Sequence, residues 1–248
     1  MSLIIDLGND CKGNIIEYDI TRMPHCLISG VAASGKTVVI DSMIVSLIQN
    51  YNSDYVKVLL ADFNNNEFNV YNNIPHLLHP LITTSNEFID ELDYLIDIIN
   101  ERYVLLRDSG CFNIKEYNQQ EEAIPYIVMF IDEISQAFDS DINEDDINNK
   151  LNNILVKGRA VGVHIVTSIM CQVVNKIKGF NLSNFNFRIV LPCLNAIQYW
   201  DLLEQKIPNI RLNPGEMIIK DCTGEMVKGT SIYYTRKEII SICDKIKY

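Results

Sequence analysis

Gly30-Val31-Ala32-Ala33-Ser34-Gly35-Lys36-Thr37 spells G-x-x-x-x-G-K-T, and its flanks decide the fold. The apolar run Cys26-Leu27-Ile28 stands before it and reads as a buried strand. Behind it Ile40, Met43, Ile44, Leu47 and Ile48 fall at the spacing of a helix with one buried face. A strand, a glycine-bounded loop and a helix N-terminus together make a nest of backbone N–H groups that suits a polyphosphate. Gly30 and Gly35 let the chain curl without side chains in the way. The Lys36 amine is expected against the β- and γ-phosphates of a bound nucleotide. The Thr37 hydroxyl is expected to ligate Mg²⁺. All eight residues, 30 to 37, are therefore candidate ATP-binding residues.

The rest of the chain supplies a sheet for this loop. Val56 to Ala61, Tyr126 to Ile131, Val163 to Thr167 and Arg188 to Leu191 are short continuous apolar runs, the pattern of strands covered on both faces. Thr84-x-x-Glu87 is a capping box ahead of a long amphipathic helix carrying Phe88, Leu92, Leu95, Ile99 and Leu106. Thr235-x-x-Glu238 caps a final helix in the same way. The runs at 3–5 and 14–18, around Gly8-Asn9-Asp10, predict a β-hairpin over residues 1–22 that leads into the core. Met217 to Tyr234 reads as small strands. The acidic, Asn-rich stretch from Asp139 to Lys150 is expected to be a solvated loop that enters a helix at Leu151. No repeat or Pro/Ser-rich linker divides the chain, so 1–248 is expected to be one α/β domain with a mostly parallel central sheet and helices on both faces.

The strand at 126–131 ends in Asp132-Glu133. Beside a P-loop, Asp132 is expected to hold the Mg²⁺ shell and Glu133 to act as the general base toward attacking water. The strand at 56–61 stands between the two motifs in the chain, as in RecA-like motors.

Composition narrows the partners. With 48% apolar and 21% charged residues the chain has a full globular core. No apolar run approaches the ~18 residues of a membrane span, and Asp6 interrupts the early apolar stretch, so a cytoplasmic location is expected. The seven cysteines form no C-x-x-C and read as reduced, mostly buried thiols. His76-x-x-His79 lies between prolines and reads as loop. A formal net charge of −11 counts against non-specific affinity for nucleic acid.

Beyond the nucleotide motifs, the chain resembles the FtsK/SpoIIIE family of DNA translocases in its RecA-like motor subdomain. The resemblance rests on Met23-Pro24-His25, on Tyr71-Asn72-Asn73-Ile74-Pro75-His76-Leu77-Leu78, on Glu101-Arg102-Tyr103 and on Asn113-Ile114 with Tyr117-Asn118. It continues through Pro125 to Glu133, Gly158-Arg159-Ala160-Val161-Gly162-Val163-His164, Arg188-Ile189 and Gly215-Glu216-Met217. It implies a homo-oligomeric ring, hexameric when active, that hydrolyses ATP and moves double-stranded DNA. Membrane attachment, where it exists, would come through parts or partners outside this chain. Arg159 and Arg188 become candidates for reaching a neighbour's γ-phosphate, and Lys176 and Lys178 for facing a pore. The family also contains type VII secretion ATPases, which move protein, and a purely regulatory nucleotide-binding domain is a third reading. Departures from the family pattern bear on rate. Ser168-Ile169-Met170-Cys171 stands where relatives carry a γ-phosphate-sensing Gln, with Gln172 two residues late. Asp62-Phe63-Asn64 loses a lysine, and Phe112 replaces an arginine. These losses predict slow or partner-dependent hydrolysis.

Overall fold

A computed structural model describes residues 2–138, 143–208 and 210–246. Its strands are β1 (Ile4–Asp10), β2 (Ile15–Asp19), β3 (His25–Gly30), β4 (Val56–Asp62), β5 (Tyr126–Asp132), β6 (Val163–Met170), β7 (Phe187–Val190), β8 (Glu216–Lys220) and β9 (Met226–Ser231). They form one sheet in the order β2-β1-β9-β8-β7-β3-β6-β5-β4. The half from β7 to β4 is parallel. The half from β7 to β2 is antiparallel. The N-terminal hairpin and the C-terminal strands are thus not separate additions. Asn9 pairs with Thr230, which joins them into the sheet that carries the P-loop strand.

Alternation along the parallel strands builds two cores, because each strand is covered on both faces. Cys26 and Ile28 of β3, with Val128 and Phe130 of β5, face α1 (Lys36–Asn50) and α6 (Arg236–Ile246). Leu27, Ile127, Met129 and Ile131 face α2 (Ser85–Ser109), α4 (Glu144–Val161) and α5 (Ala196–Leu203). A short α3 (Ile114–Gln120) follows α2 and places Ile114 in the first core. The capping box of α2 forms as expected, with Thr84 accepting from Glu87 N–H. At α6 the Glu238 amide donates to Thr235 Oγ1 at 3.3 Å, while Glu238 Oε2 accepts from Thr235 N–H at 2.7 Å.

Two expectations change, and the placement of β4 is refined. The hairpin turn is not at Gly8-Asn9-Asp10, which lies inside β1. The turn follows it, where Asp10 Oδ1 accepts the amides of Lys12 and Asn14, each at 2.8 Å. Gly8 is needed for close packing, since a Cβ there would meet Thr230 O at 2.1 Å. The acidic stretch is not loop up to Lys150. α4 begins at Glu144, Asn143 caps it, and Glu144, Asp145 and Asp146 occupy its first turn. Carboxylates there complement the positive end of the helix dipole; positions 139–142 lie outside the described residues. Finally, β4 intervenes between the two motifs in the chain but β6 does so in space, and β4 forms the edge.

Candidate nucleotide site

β3 lies inside the sheet, between β6 and β7, and opens into the P-loop at its carboxyl end, where ligands of open α/β sheets bind. The neighbouring loops hold it in place. Gly30 O accepts from Cys171 N–H at 3.1 Å, and Val31 N–H donates to Pro192 O at 2.8 Å. Gly215 N–H donates to Ser34 O at 3.0 Å, tying the β8 entry to the loop. Gly35 caps α1 with φ 106°, a left-handed backbone that disfavours side chains. A Cβ on Gly30 would meet Ser34 Oγ at 2.5 Å. That hydroxyl is buried and has no hydrogen-bond partner among the described residues.

Around this cradle the polar groups converge. Lys36 Nζ lies 3.2 Å from Val31 O and 3.5 Å from Gly30 O. It lies 3.8 Å from Glu133 Oε2, with both side chains about nine-tenths buried. Thr37 Oγ1 donates to Asp132 Oδ2 at 3.4 Å. Burial raises the Asp132 carboxyl above the usual carboxylate range, opposed by the Ser168 hydroxyl. Asp132 at the end of β5 and Thr37 at the start of α1 are hard oxygen donors of the kind Mg²⁺ takes. The curled backbone and the buried amine fit a polyphosphate.

Ser168 escaped the sequence reading and is central to this geometry. Its hydroxyl donates to Asp132 Oδ1 at 2.7 Å and accepts from Glu133 N–H at 2.8 Å. The signal was a serine following Thr167 on an otherwise apolar strand, and Thr167 pairs with Ile131, one step before Asp132. Residue 170 also contributes, although not through a side-chain amide. Met170 N–H donates to Glu133 Oε1 at 3.0 Å, and Ser135 Oγ donates to the same oxygen at 2.6 Å. Glu133 itself has φ 50°, an uncommon backbone for a residue with a side chain.

Asp62 turns away from this chemistry. Its carboxylate accepts the amides of Asn64, Asn66, Glu67 and Phe68, so it organises the Asn-rich loop after β4. His76 Nε2 bonds Tyr51 O, and His79 Nδ1 bonds Glu91, each in a structural contact.

The two arginine candidates separate. The Arg188 guanidinium points inward, donating to Phe185 O, Leu202 O, Leu182 O and Glu204 at 2.7 to 3.0 Å. Only 4% of its side chain is exposed, so it holds the end of α5 rather than reaching a neighbour. Arg188→Ala is expected to destabilise the fold by about 3 kcal/mol, because two buried carbonyls and one part-buried carbonyl lose their donor. Urea unfolding checks this, and a change under about 0.5 kcal/mol would contradict it. Arg159 is exposed and lies beside His25, at the end of β3 away from the P-loop. Lys176 and Lys178 are exposed in the turns after β6, with Lys178 Nζ 4.0 Å from Asp145.

A cavity of about 190 Å³ adjoins Thr37 and Val38, lined also by Asp41, Glu67, Tyr234 and Arg236. Burial pushes the Asp41 carboxyl up to about 6, against the pull of the Tyr71 hydroxyl that donates to it at 2.8 Å. The folded chain keeps this proton up to near pH 6, whereas an unfolded carboxyl releases it near 3.8. Between those values the folded state binds more protons, so its stability falls as pH rises through the window. Asp41→Asn is therefore expected to stabilise the fold by about 1–3 kcal/mol near neutral pH and by nothing below pH ~4. Urea unfolding of both chains at the two pH values decides it; an equal gain at both would show that the charge is not the cause.

A P-loop at the carboxyl end of a central parallel strand, with Asp-Glu on a strand one removed, defines the RecA-like P-loop NTPase class. The FtsK/SpoIIIE family profile matches residues 1–173, and the chain belongs to that family. It is 30% identical over 248 residues to the DNA translocase FtsK of Caldanaerobacter subterraneus subsp. tengcongensis, covering 99% of this chain and 35% of that protein. It is 29% identical to the DNA translocase SftA of Bacillus subtilis, covering 97% of this chain and 26% of that protein. The chain thus spans about a third or less of these relatives. The pCW3 conjugation coupling protein TcpA, in its monomer form with ATPγS, superposes with a TM-score of 0.80 at 20% identity, over 98% of this chain and 71% of that one. The cytoplasmic domain of the type VII secretion ATPase EccC of Thermomonospora curvata gives 0.81 at 20% identity, over 99% and 31%. These two likenesses establish a shared fold. Among the described residues no helix is long and apolar enough to cross a membrane.

Proposed function

We propose that the chain is the ATP-hydrolysing motor domain of a translocase that moves double-stranded DNA, acting in a homo-oligomeric ring on the cytoplasmic side. The observation that carries the reading is the approach of Lys36 and Glu133 to 3.8 Å across the P-loop, with Thr37 and Asp132 beside them. The backbone amides of residues 30–37 cradle the phosphates. Lys36 neutralises charge on the β- and γ-phosphates. Thr37 and Asp132 would hold Mg²⁺, which when bound would offset phosphate charge. Glu133 takes the proton of the attacking water, its carboxylate set by Met170 N–H and Ser135 Oγ. The protein positions and neutralises, as phosphoryl transfer requires, and forms no covalent intermediate. DNA as cargo follows from family membership and from the names of the translocase relatives.

The net charge of −11 favours a second reading, a protein-export ATPase of the type VII kind. ATP turnover measured with and without duplex DNA, from low to moderate salt, separates the two. A DNA motor is stimulated by the duplex and loses affinity steeply as salt rises, because each lysine–phosphate contact releases counterions. Absence of both binding and stimulation, with ATP still hydrolysed, would overturn the DNA reading.

A further inference from the structure

The nucleotide chemistry makes no use of two cysteines that meet over the end of the P-loop strand. Cys171 follows β6 and is 4% exposed, while Cys193 follows β7 and is half-buried. β6 and β7 are kept apart in the sheet by β3, yet both loops curl onto its carboxyl end through the Cys171–Gly30 and Pro192–Val31 backbone bonds. There the two thiols lie close enough to shift each other's ionisation, while the Cys193 thiol donates to Leu191 O at 3.4 Å. Cys171 Sγ is also 3.4 Å from Gln198 Oε1, which accepts from Leu194 N–H at 2.9 Å. Cys193 N–H donates to the Tyr199 hydroxyl at 2.9 Å. Helix α5 thereby anchors the Cys171 thiol through Gln198 and the Cys193 backbone through Tyr199.

We propose that Cys171 and Cys193 form a peroxide-sensitive modification site that closes as an intramolecular disulfide beside the P-loop. The two thiols have unequal roles. The neighbouring Cys193 thiol lowers the Cys171 thiol to about 7, and the nearby Lys36 charge acts in the same direction, against burial. Cys193 is raised by the same contact. Cys171 is the attacking thiolate and Cys193 the resolving thiol. The Cys171 sulfur attacks one peroxide oxygen, the O–O bond breaks, and the departing hydroxide takes a proton to leave as water. The sulfenic acid so formed is attacked by Cys193 sulfur, the S–O bond breaks, and a second water carries off the oxygen and the Cys193 proton. Two thiols are oxidised to one disulfide and one peroxide is reduced to two waters. The closed pair clamps the loops that bond Gly30 and Val31, whose carbonyls lie within 3.5 Å of Lys36 Nζ. Nucleotide binding is expected to weaken about tenfold on oxidation, a consequence that rests on the nucleotide reading above.

The test treats the purified chain with hydrogen peroxide, alkylates the remaining thiols, and maps tryptic peptides by mass. Peptides 160–176 and 189–206 each carry one of the two cysteines and no other. They are expected to appear joined, about 2 mass units lighter than their sum, and to separate on reduction. Cys193→Ser is expected to leave Cys171 as a sulfenic acid that dimedone traps. Both peptides remaining separately alkylated at a peroxide level that oxidises the exposed Cys11 and Cys222 would overturn the proposal, as would either joining another cysteine. Binding of a fluorescent ATP analogue, measured before oxidation, after it and after reduction, reports the coupling. A disulfide that leaves affinity unchanged would refute the clamp. A reduced chain that binds no nucleotide would refute the nucleotide reading and leave the disulfide standing.

Discussion

Lys36→Ala is expected to weaken ATP binding about 100-fold while leaving the fold intact. Among the described residues the Lys36 ammonium is held by two loop carbonyls and the Glu133 carboxylate, at 3.2 to 3.8 Å. It is therefore placed to exchange those weak partners for phosphate oxygens. Charge-assisted hydrogen bonds are worth about 1.5–3 kcal/mol each, and two of them account for a factor on the order of 100 or more. Alanine at the first helical residue costs no propensity, so the melting temperature is expected to hold within a few degrees. Calorimetric titration with ATP and Mg²⁺, alongside a thermal melt, checks both halves. Wild-type affinity in a folded variant would remove the P-loop from the nucleotide and take the motor reading with it.

The site was legible in the sequence where a main-chain need dictates a residue type. Gly30 and Gly35 are such residues: one is packed against Ser34, and the other has a left-handed backbone. The strand-end carboxylates could be read because β5 is apolar on both faces up to Asp132. Ser168 could not be weighed from the chain alone. Its importance comes from pairing β6 with β5, a neighbour relation between residues 36 positions apart. Met170 shows the complementary limit. Its side chain lacks the amide found in relatives, while its backbone N–H, which any residue except proline supplies, fixes Glu133. The resemblance offers Arg188 as a residue that reaches a neighbour, but the three carbonyls it satisfies come from the turn before β7 and from α5. The acidic stretch read as loop by composition, yet an N-cap and a helix dipole make the same carboxylates favourable in a first turn. The hairpin and the C-terminal strands were recognised as strands. The β1–β9 and β7–β8 pairings, which join residues far apart in the chain, show that they continue the central sheet.

Glu133→Gln separates binding from chemistry. The main-chain amides of the phosphate cradle do not touch residue 133, and Lys36 keeps its two loop carbonyls, so ATP affinity is expected to stay within a few-fold of the parent, or to tighten as one anion near the γ-phosphate is removed. Gln keeps an oxygen to accept from Met170 N–H and Ser135 Oγ, so the left-handed backbone at 133 retains its side-chain supports. What is lost is the ability to accept a proton from water. General-base catalysis contributes about 10²–10⁴-fold, and turnover is expected to fall by at least about 100-fold. The loss should appear in kcat with KM little changed, the signature of an interaction made only in the transition state. Wild-type turnover would exclude Glu133 as the base. Lost binding would instead show that the 3.8 Å contact with Lys36 is needed to set the amine in place before any phosphate arrives. The first outcome would leave a nucleotide-binding domain whose base lies elsewhere, and the second would make Glu133 a positioning residue for Lys36.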